Sequence, residues 1–232
     1  METLSNKLQP LGKRSILLEL DKGAINGLNK MPIDIFDGIF LDKVNNNALI
    51  LCVDIRNFSE FLCVNTDDSV FKLIKEFTVN LLSCINQFGY GCSFYKLMGD
   101  GALVIWDETN EKSVSEALSI YNSYTEFLAE ELFKPFGDLG LSGALVEERV
   151  YKYEISAEVS QLKYRDYVGY GINLAYRLQV LTGFDTLILN ERLANKGMIP
   201  FEIENSKNTL KQLGILKGLK EEDRQRVFLY KK

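Results

Sequence analysis

No histidine occurs anywhere in the 232 residues. That absence excludes a Ser–His–Asp triad, a Cys–His pair, an HExxH zinc motif and any imidazole base. Proton transfer falls instead to Asp, Glu, Lys, Tyr or water. A metal site made from what remains is carboxylate-rich, which suits hard ions such as magnesium or manganese. Cysteine is scarce as well. Cys52, Cys63, Cys84 and Cys92 form no CxxC pair, so a zinc site is not expected. Their neighbours are mostly apolar, and buried free thiols in a reducing compartment are the expectation. Basic residues are outnumbered, 27 Lys+Arg against 32 Asp+Glu, giving a formal charge of −5. That balance argues against a broad grip on DNA or RNA, which needs a basic face. It leaves room for one anionic nucleotide in a local pocket. The chain has no apolar run of the ~18 residues needed to cross a membrane and no apolar signal-peptide stretch at its start. A soluble, cytoplasmic protein without membrane insertion is expected.

With 46% hydrophobic and 25% charged residues, the chain has the composition of a folded domain with a sizeable core. Its length fits one domain plus an extension. Residues 1–45 read as a weakly patterned lead, with a short strand at Ser15 to Leu20 and a loop at Gly23 to Pro32. Residues 46–232 read as the domain, entered after a polar break at Asn45-Asn46-Asn47. Ala48 to Asp54 is a buried central strand ending in a carboxylate. Thr66-Asp67-Asp68 offers helix caps before Val70, Phe71, Ile74, Phe77, Leu81, Leu82 and Ile85, which recur at helical spacing. Cys92 to Leu97 and Ala102 to Trp106 are strands flanking a tight turn, Met98-Gly99-Asp100-Gly101. A second helix spans Ser113 to Leu132. Leu139 to Val146 is a strand, with Val150 to Ser160 continuing a hairpin. A third helix spans Gly171 to Leu181, and short strands follow at Leu187 to Asn190 and Val227 to Tyr230. This order predicts an α+β fold, an antiparallel-rich sheet with helices on one face.

Two carboxylates stand out. Asp54 ends the first core strand, and Asp100 sits on a glycine-flanked hairpin tip. Strand end and hairpin tip of one sheet can bring them within a few ångströms, where they repel unless a cation lies between them. A divalent ion with phosphate oxygens completing its shell resolves that repulsion. By spacing alone, Asp100 as a simple turn residue and Asp54 as a simple cap is the readier reading. Asn173 and Arg177, four residues apart, share one helix face.

Three segments then fall into register. Asp54-Ile55-Arg56-Asn57-Phe58-Ser59, Lys96-Leu97-Met98-Gly99-Asp100-Gly101 and Gly169-Tyr170-Gly171-Ile172-Asn173-Leu174-Ala175-Tyr176-Arg177-Leu178 together resemble the class III nucleotidyl cyclase family, in its order and at about its spacing. The likeness covers roughly residues 46–232. It implies a ferredoxin-like cyclase catalytic domain. It also implies two divalent cations per site, Mn2+ or Mg2+, held by Asp54, Asp100 and the backbone carbonyl of Ile55. Phe58 and Ser59 occupy the turn that approaches the triphosphate through backbone amides. Asn173 and Arg177 match the pair that stabilises the transition state. Lys217 sits where the family often has a triphosphate-binding lysine. The family builds its sites between two such domains, so the resemblance implies a homodimer with composite active sites.

The resemblance also makes Lys96 and Asp166 the base readers. A Lys/Asp pair there usually signals ATP. Cytosine, however, presents the same donor and acceptor order as adenine, and uracil can be satisfied with the order reversed. Pocket depth must decide, and Tyr95, Met98, Tyr164 or Tyr167 are bulky enough to narrow it. The compact layout is similar to that of the stand-alone pyrimidine cyclases of bacterial anti-phage (Pycsar) systems. It implies conversion of CTP or UTP to 3′,5′-cyclic CMP or UMP, read by a separate cyclic-nucleotide-activated effector. Adenylate cyclase chemistry and a catalytically inactive cyclase-like module are the alternatives. A diguanylate-cyclase-like enzyme would need a Gly-Gly-Asp/Glu-Glu/Asp-Phe hairpin, and the tip here is Met-Gly-Asp-Gly.

Overall fold

A computed structural model describes residues 38–134, 139–157, 162–200, 203–205, 218–220 and 227–231. The expected strand at Ser15 to Leu20, the loop at Gly23 to Pro32 and Lys217 lie outside them. The chain divides into two compact units, Met1–Leu41 with Tyr153–Arg165, and Asp42–Lys152 with Asp166–Lys232. In the first, Arg165 pairs with Glu154 at 2.8 Å. The second carries the candidate site.

The elements in chain order are β1 (Gly38–Arg56), α1 (Phe58–Val64), α2 (Asp67–Phe88), β2 (Phe94–Met98), β3 (Gly101–Trp106) and α3 (Glu111–Phe127). A π-helical turn, Leu128–Phe133, extends α3. They continue with β4 (Gly140–Ala157), β5 (Leu162–Val168), α4 (Tyr170–Gln179), β6 (Thr186–Asn190), α5 (Glu191–Ala194), β7 (Ile203–Asn205) and β8 (Val227–Lys231). The described strands form one sheet in the order β2-β3-β1-β4-β6-β8-β7, and β5 pairs with β4. The β1–β3, β2–β3, β6–β8 and β7–β8 pairs are antiparallel, whereas β4–β6 is parallel. A parallel pair needs a crossover, and β5 with α4 lies between β4 and β6 in the chain.

The central strand explains the layering. Leu49, Leu51, Val53 and Ile55 pack in one core with Leu73, Phe77 and Leu81 of α2 and Val114, Ala117 and Tyr121 of α3. Ala48, Ile50 and Cys52 pack in a second core with Leu174, Ala175 and Leu178 of α4. Alternate strand residues face opposite sides, so helices cover both faces of the sheet. The expectation of helices on one face is therefore corrected. An unbroken apolar strand such as Ala48 to Val53 has no solvent face, and two layers are needed to bury it.

Other local expectations shift for identifiable reasons. No break occurs at Asn45-Asn46-Asn47: β1 runs through. Asn45 donates to Asp107 at 2.6 Å, and the Asn47 carbonyl accepts from both Thr109 N and Thr109 Oγ1. Tertiary partners satisfy polar groups that would otherwise favour a turn. Thr66 caps α2 as expected, accepting from Ser69 N. The buried stripe of α2 is Leu73, Phe77, Leu81 and Ile85, while Phe71 is 71% exposed. The two stretches expected as separate strands form one, β4, over Gly140–Ala157, and β5 follows it; the expected end at Ser160 lies outside the described residues. Among the cysteines only Cys52 is buried; Cys84 and Cys92 are half-buried and Cys63 is exposed.

Close approach of α4 to the sheet depends on Gly171, the second glycine of the Gly169-Tyr170-Gly171 motif. A Cβ there would lie 2.6 Å from Ile50 Cδ1 and 2.9 Å from Glu148 Cβ. Gly171→Ala should lower unfolding stability by about 1–3 kcal/mol, the usual cost of overpacking, as read from the denaturation midpoint. A midpoint equal to wild type would mean that α4 does not need this contact.

Candidate functional site

The site begins at the end of β1. Register places Asp54 opposite Gly101 of β3, which itself pairs with Met98 of β2. Gly99 and Asp100 form the two-residue tip between β2 and β3. Gly99 adopts φ +67°, a conformation that suits glycine. The tip is tied to β1 by Ile55 N donating to the Asp100 carbonyl at 3.1 Å. Gly101 allows this closeness. A Cβ there would meet the Val53 carbonyl at 2.7 Å and Asp54 Oδ1 at 2.9 Å.

The two carboxylates feel one another. Burial, then the nearby Asp100, push the Asp54 carboxyl up to about 6 from an ordinary 3.8. Burial also raises Asp100. Gln179, from the last turn of α4, donates to Asp54 Oδ2 at 3.2 Å and also to Ser142 Oγ. Ser142 in turn donates to the Asp54 carbonyl at 3.1 Å. Arg56 donates to the carbonyls of Gln179 and Thr182 at 3.1 and 2.6 Å, and its nearby charge partly offsets the rise at Asp54. Gln179 and Ser142 were not anticipated from sequence. A glutamine on the same side of α4 as Leu174, Ala175 and Leu178 was the available signal, because a buried polar side chain needs a partner.

Two hard carboxylates in a partly buried corner, each disfavoured as an anion, suit a magnesium- or manganese-type ion. Among the described residues no group of three or more His, Cys, Asp or Glu is assembled. Oxygens from backbone and substrate would have to complete any shell here.

The remaining expected residues fall as follows. Phe58 and Ser59 open α1 rather than lying in an irregular turn. Asn57, at φ +63°, makes the corner between β1 and that helix. Phe58 is buried and stacks with Phe61 at 6.2 Å, while Ser59 is exposed. The first amides of a helix have no acceptor within it. Lys96 Nζ bonds Asp166 Oδ2 at 2.6 Å; Asp166 is buried and its Oδ1 accepts from Tyr167 N. Tyr167 is a core residue, packed on Phe94 and donating to Asp107. Tyr95, Met98 and Tyr164 are substantially exposed. Asn173 is exposed and Arg177 half-buried. A Cβ on Gly218 would lie 3.5 Å from the Arg177 guanidinium.

At about 100° per residue, the buried face of α4 comprises Gly171, Leu174, Ala175, Leu178 and Gln179. Asn173 and Arg177 occupy the opposite face. Gln179 reaches the Asp54 of its own chain, so Asn173 and Arg177 point away from that carboxylate.

No protein-family model and no curated protein matches the sequence. Solved structures do match the fold. The adenylyl cyclase CyaB from P. aeruginosa shares 14% identity at a TM-score of 0.63, over 81% of this chain and 94% of that one. The guanylyl cyclase Cya2 shares 16% at 0.64, over 82% and 92%. The guanylate cyclase domain of RhGC from Catenaria anguillulae, determined in complex with GTP, shares 12% at 0.63, over 81% and 97%. The chain has the α+β fold of class III cyclase catalytic domains. No helix among the described residues is long and apolar enough to cross a membrane.

The raised Asp54 carboxyl has a stability consequence. Between its ordinary 3.8 and about 6, the folded state binds more protons than the unfolded chain. Stability therefore falls as pH rises through that window. In chelator, Asp54→Asn should melt higher than wild type above pH 7, and the difference should vanish near pH 4. Manganese should raise the melting temperature of wild type more than that of the variant. Equal melting of the two proteins in chelator at pH 8 would show that the carboxylates do not oppose one another.

Proposed function

We propose that this chain is a nucleotidyl cyclase that converts a pyrimidine nucleoside triphosphate, CTP or UTP, into the 3′,5′-cyclic monophosphate and pyrophosphate. Asp54 meeting Asp100 at one corner of the sheet, on a fold shared with adenylyl and guanylyl cyclases, carries the reading. The ribose 3′-oxygen attacks the α-phosphorus, the bond to the β-phosphate oxygen breaks, and the hydroxyl proton is lost. Asp54, Asp100 and the Ile55 carbonyl would hold two divalent cations, Mn2+ or Mg2+. The chemistry such ions supply is acidification of the attacking hydroxyl and neutralisation of the leaving pyrophosphate.

The chain's own groups do the rest. Amides at Phe58 and Ser59 face the triphosphate. Lys217 also binds it, on the strength of the sequence resemblance. Asn173 orients the ribose, and Arg177 donates its planar fork to the α-phosphate as charge grows there. Because Asn173 and Arg177 face away from Asp54 of their own chain, each site takes the carboxylates from one subunit and this pair from the other. A homodimer then has two composite sites. Lys96 donates to the ring acceptor of the base and Asp166 accepts from its amine. An ammonium has three donors, so Lys96 can keep its bond to Asp166 while reading the base. The cyclic product acts as a messenger for a separate effector in anti-phage defence, as in the systems the sequence resembles.

Adenylate cyclase activity is the second reading. The Lys96–Asp166 pair favours it, since adenine offers the same donor and acceptor order as cytosine. Incubation with each of the four nucleoside triphosphates and manganese, followed by mass spectrometry, separates the two. Cyclic CMP or UMP is the expected product. Dominant cyclic AMP would replace the pyrimidine reading with the adenylate one.

Asp54→Ala and Asp100→Ala should each abolish turnover while the protein stays folded and dimeric; normal product formation by either would remove the carboxylates from the mechanism. Mixing Asp54→Ala with Arg177→Ala chains should restore roughly a quarter of wild-type activity. About half of randomly mixed dimers are heterodimers, each with one intact site. No recovery after verified subunit exchange would place the whole site within one chain.

A further inference from the structure

Residues 218–220 form a short strap along α4 that the proposed chemistry does not use. Gly218 adopts φ +76°, a conformation that suits glycine, beside the Arg177 guanidinium. Leu219 is buried in the same core as Leu174 and Leu178 of α4. The backbone N–H of Lys220 donates to the Tyr170 hydroxyl at 2.7 Å, and its ammonium stands 4.4 Å from the centre of the Tyr170 ring. That ammonium also pairs with Glu148 at 3.6 Å, and buried Glu148 has Arg192 at 3.8 Å from its other oxygen. The Lys220 side chain is 45% exposed, so solvent screens its ion pair. The hydrogen bond to Tyr170 and the burial of Leu219 are the firmer ties. Tyr170, Asn173 and Arg177 follow one another at i, i+3 and i+7. At about 100° per residue they fall within about 60° of arc, a single stripe of α4. The strap runs antiparallel to that stripe and meets both of its ends, Lys220 at Tyr170 and Gly218 at Arg177.

We infer that Tyr170 and Leu219 are positioning residues: through the strap they hold Gly218 against the Arg177 guanidinium and restrict the direction in which it meets the α-phosphate at the partner subunit's carboxylates. The inference rests on the cyclase reading and deepens it. A surface arginine has many rotamers to lose before it can meet a phosphate. A neighbour fixed on one flank removes some of them in advance, so that less ordering is left for the reaction itself. Glycine suits that flank. It brings main chain close and presents no side-chain acceptor to compete with the phosphate. The Tyr170 hydroxyl ties the strap to the same helix that carries Arg177, so strap and arginine keep one frame.

The test uses the full-length protein as wild type, Tyr170→Phe and Leu219→Ala. Tyr170→Phe keeps the ring beside Lys220 and loses only the acceptor of the hydrogen bond. Leu219→Ala frees the strap from the core; should it not fold, Tyr170→Phe decides alone. The first readout is the order of the Arg177 Nε–H bond from 15N relaxation of the nucleotide-free protein, with the resonance assigned by its disappearance in Arg177→Lys. It should fall in the variants, while that of Arg56, held by the Gln179 and Thr182 carbonyls, stays at its wild-type value. Unchanged order at Arg177 overturns the inference. So does an equal loss at Arg56, which marks a general loosening of the fold. The second readout is steady-state kinetics with whichever triphosphate the wild type cyclises. Arg177 acts on charge that grows in the transition state, so kcat should fall about 10-fold in Tyr170→Phe with KM near wild type. An unchanged kcat, with or without a raised KM, overturns the inference and leaves the cyclase reading standing. If wild type cyclises no nucleotide, the cyclase reading fails, and the relaxation comparison alone decides whether the strap holds Arg177.

Discussion

Two carboxylates held together at the end of a strand buried on both faces set the terms for the rest of the site. Asp54 cannot move away from Asp100, because the register that pairs it with Gly101 continues through five further pairs of β1 with β3. It is half-buried, with Gln179 on one oxygen and Ser142 on its own carbonyl. The fold thus maintains a local excess of negative charge that Arg56 and the Gln179 hydrogen bond offset only in part. Such an arrangement disfavours the folded state and favours whatever cation binds there, the usual trade between stability and function at an active site.

Helix α4 connects this corner to everything else. One face carries Gln179 to the carboxylate, the edge carries Tyr176 to the hairpin strand, and the far face presents Asn173 and Arg177. A helix of this length has room for three tasks only because its contact with the sheet is tight, which explains the glycine at position 171. The proposed composite site follows from the same geometry. In that proposal the side of α4 turned away from its own sheet serves a second molecule.

The legible part of the site was the part written in local sequence. Asp54 ends an apolar run, Asp100 lies in a glycine-flanked turn, and Asn173 and Arg177 are one helical turn apart. These are short-range patterns, and strand end, turn and helix face follow from them directly. The Lys96–Asp166 pair was named from resemblance, and the two residues meet at 2.6 Å across 70 positions of chain. Gln179, Ser142 and Tyr176 were given no role. Each acts on a residue more than 75 positions away, and no local pattern marks such a partner.

The sequence by itself determined the alternation of elements, the hairpin tip with its aspartate, the absence of histidine chemistry and the choice of hard oxygen donors for any metal. Those properties depend on residue type and near-neighbour spacing. Only the tertiary structure decided that helices cover both faces of the sheet, that β1 passes through its three asparagines and that β5 follows β4 as a separate strand. It alone decided that α4 turns Asn173 and Arg177 away from Asp54. These depend on which distant groups satisfy a buried backbone or fill a face, and that competition is settled by packing across the whole sheet rather than by any segment's own preference.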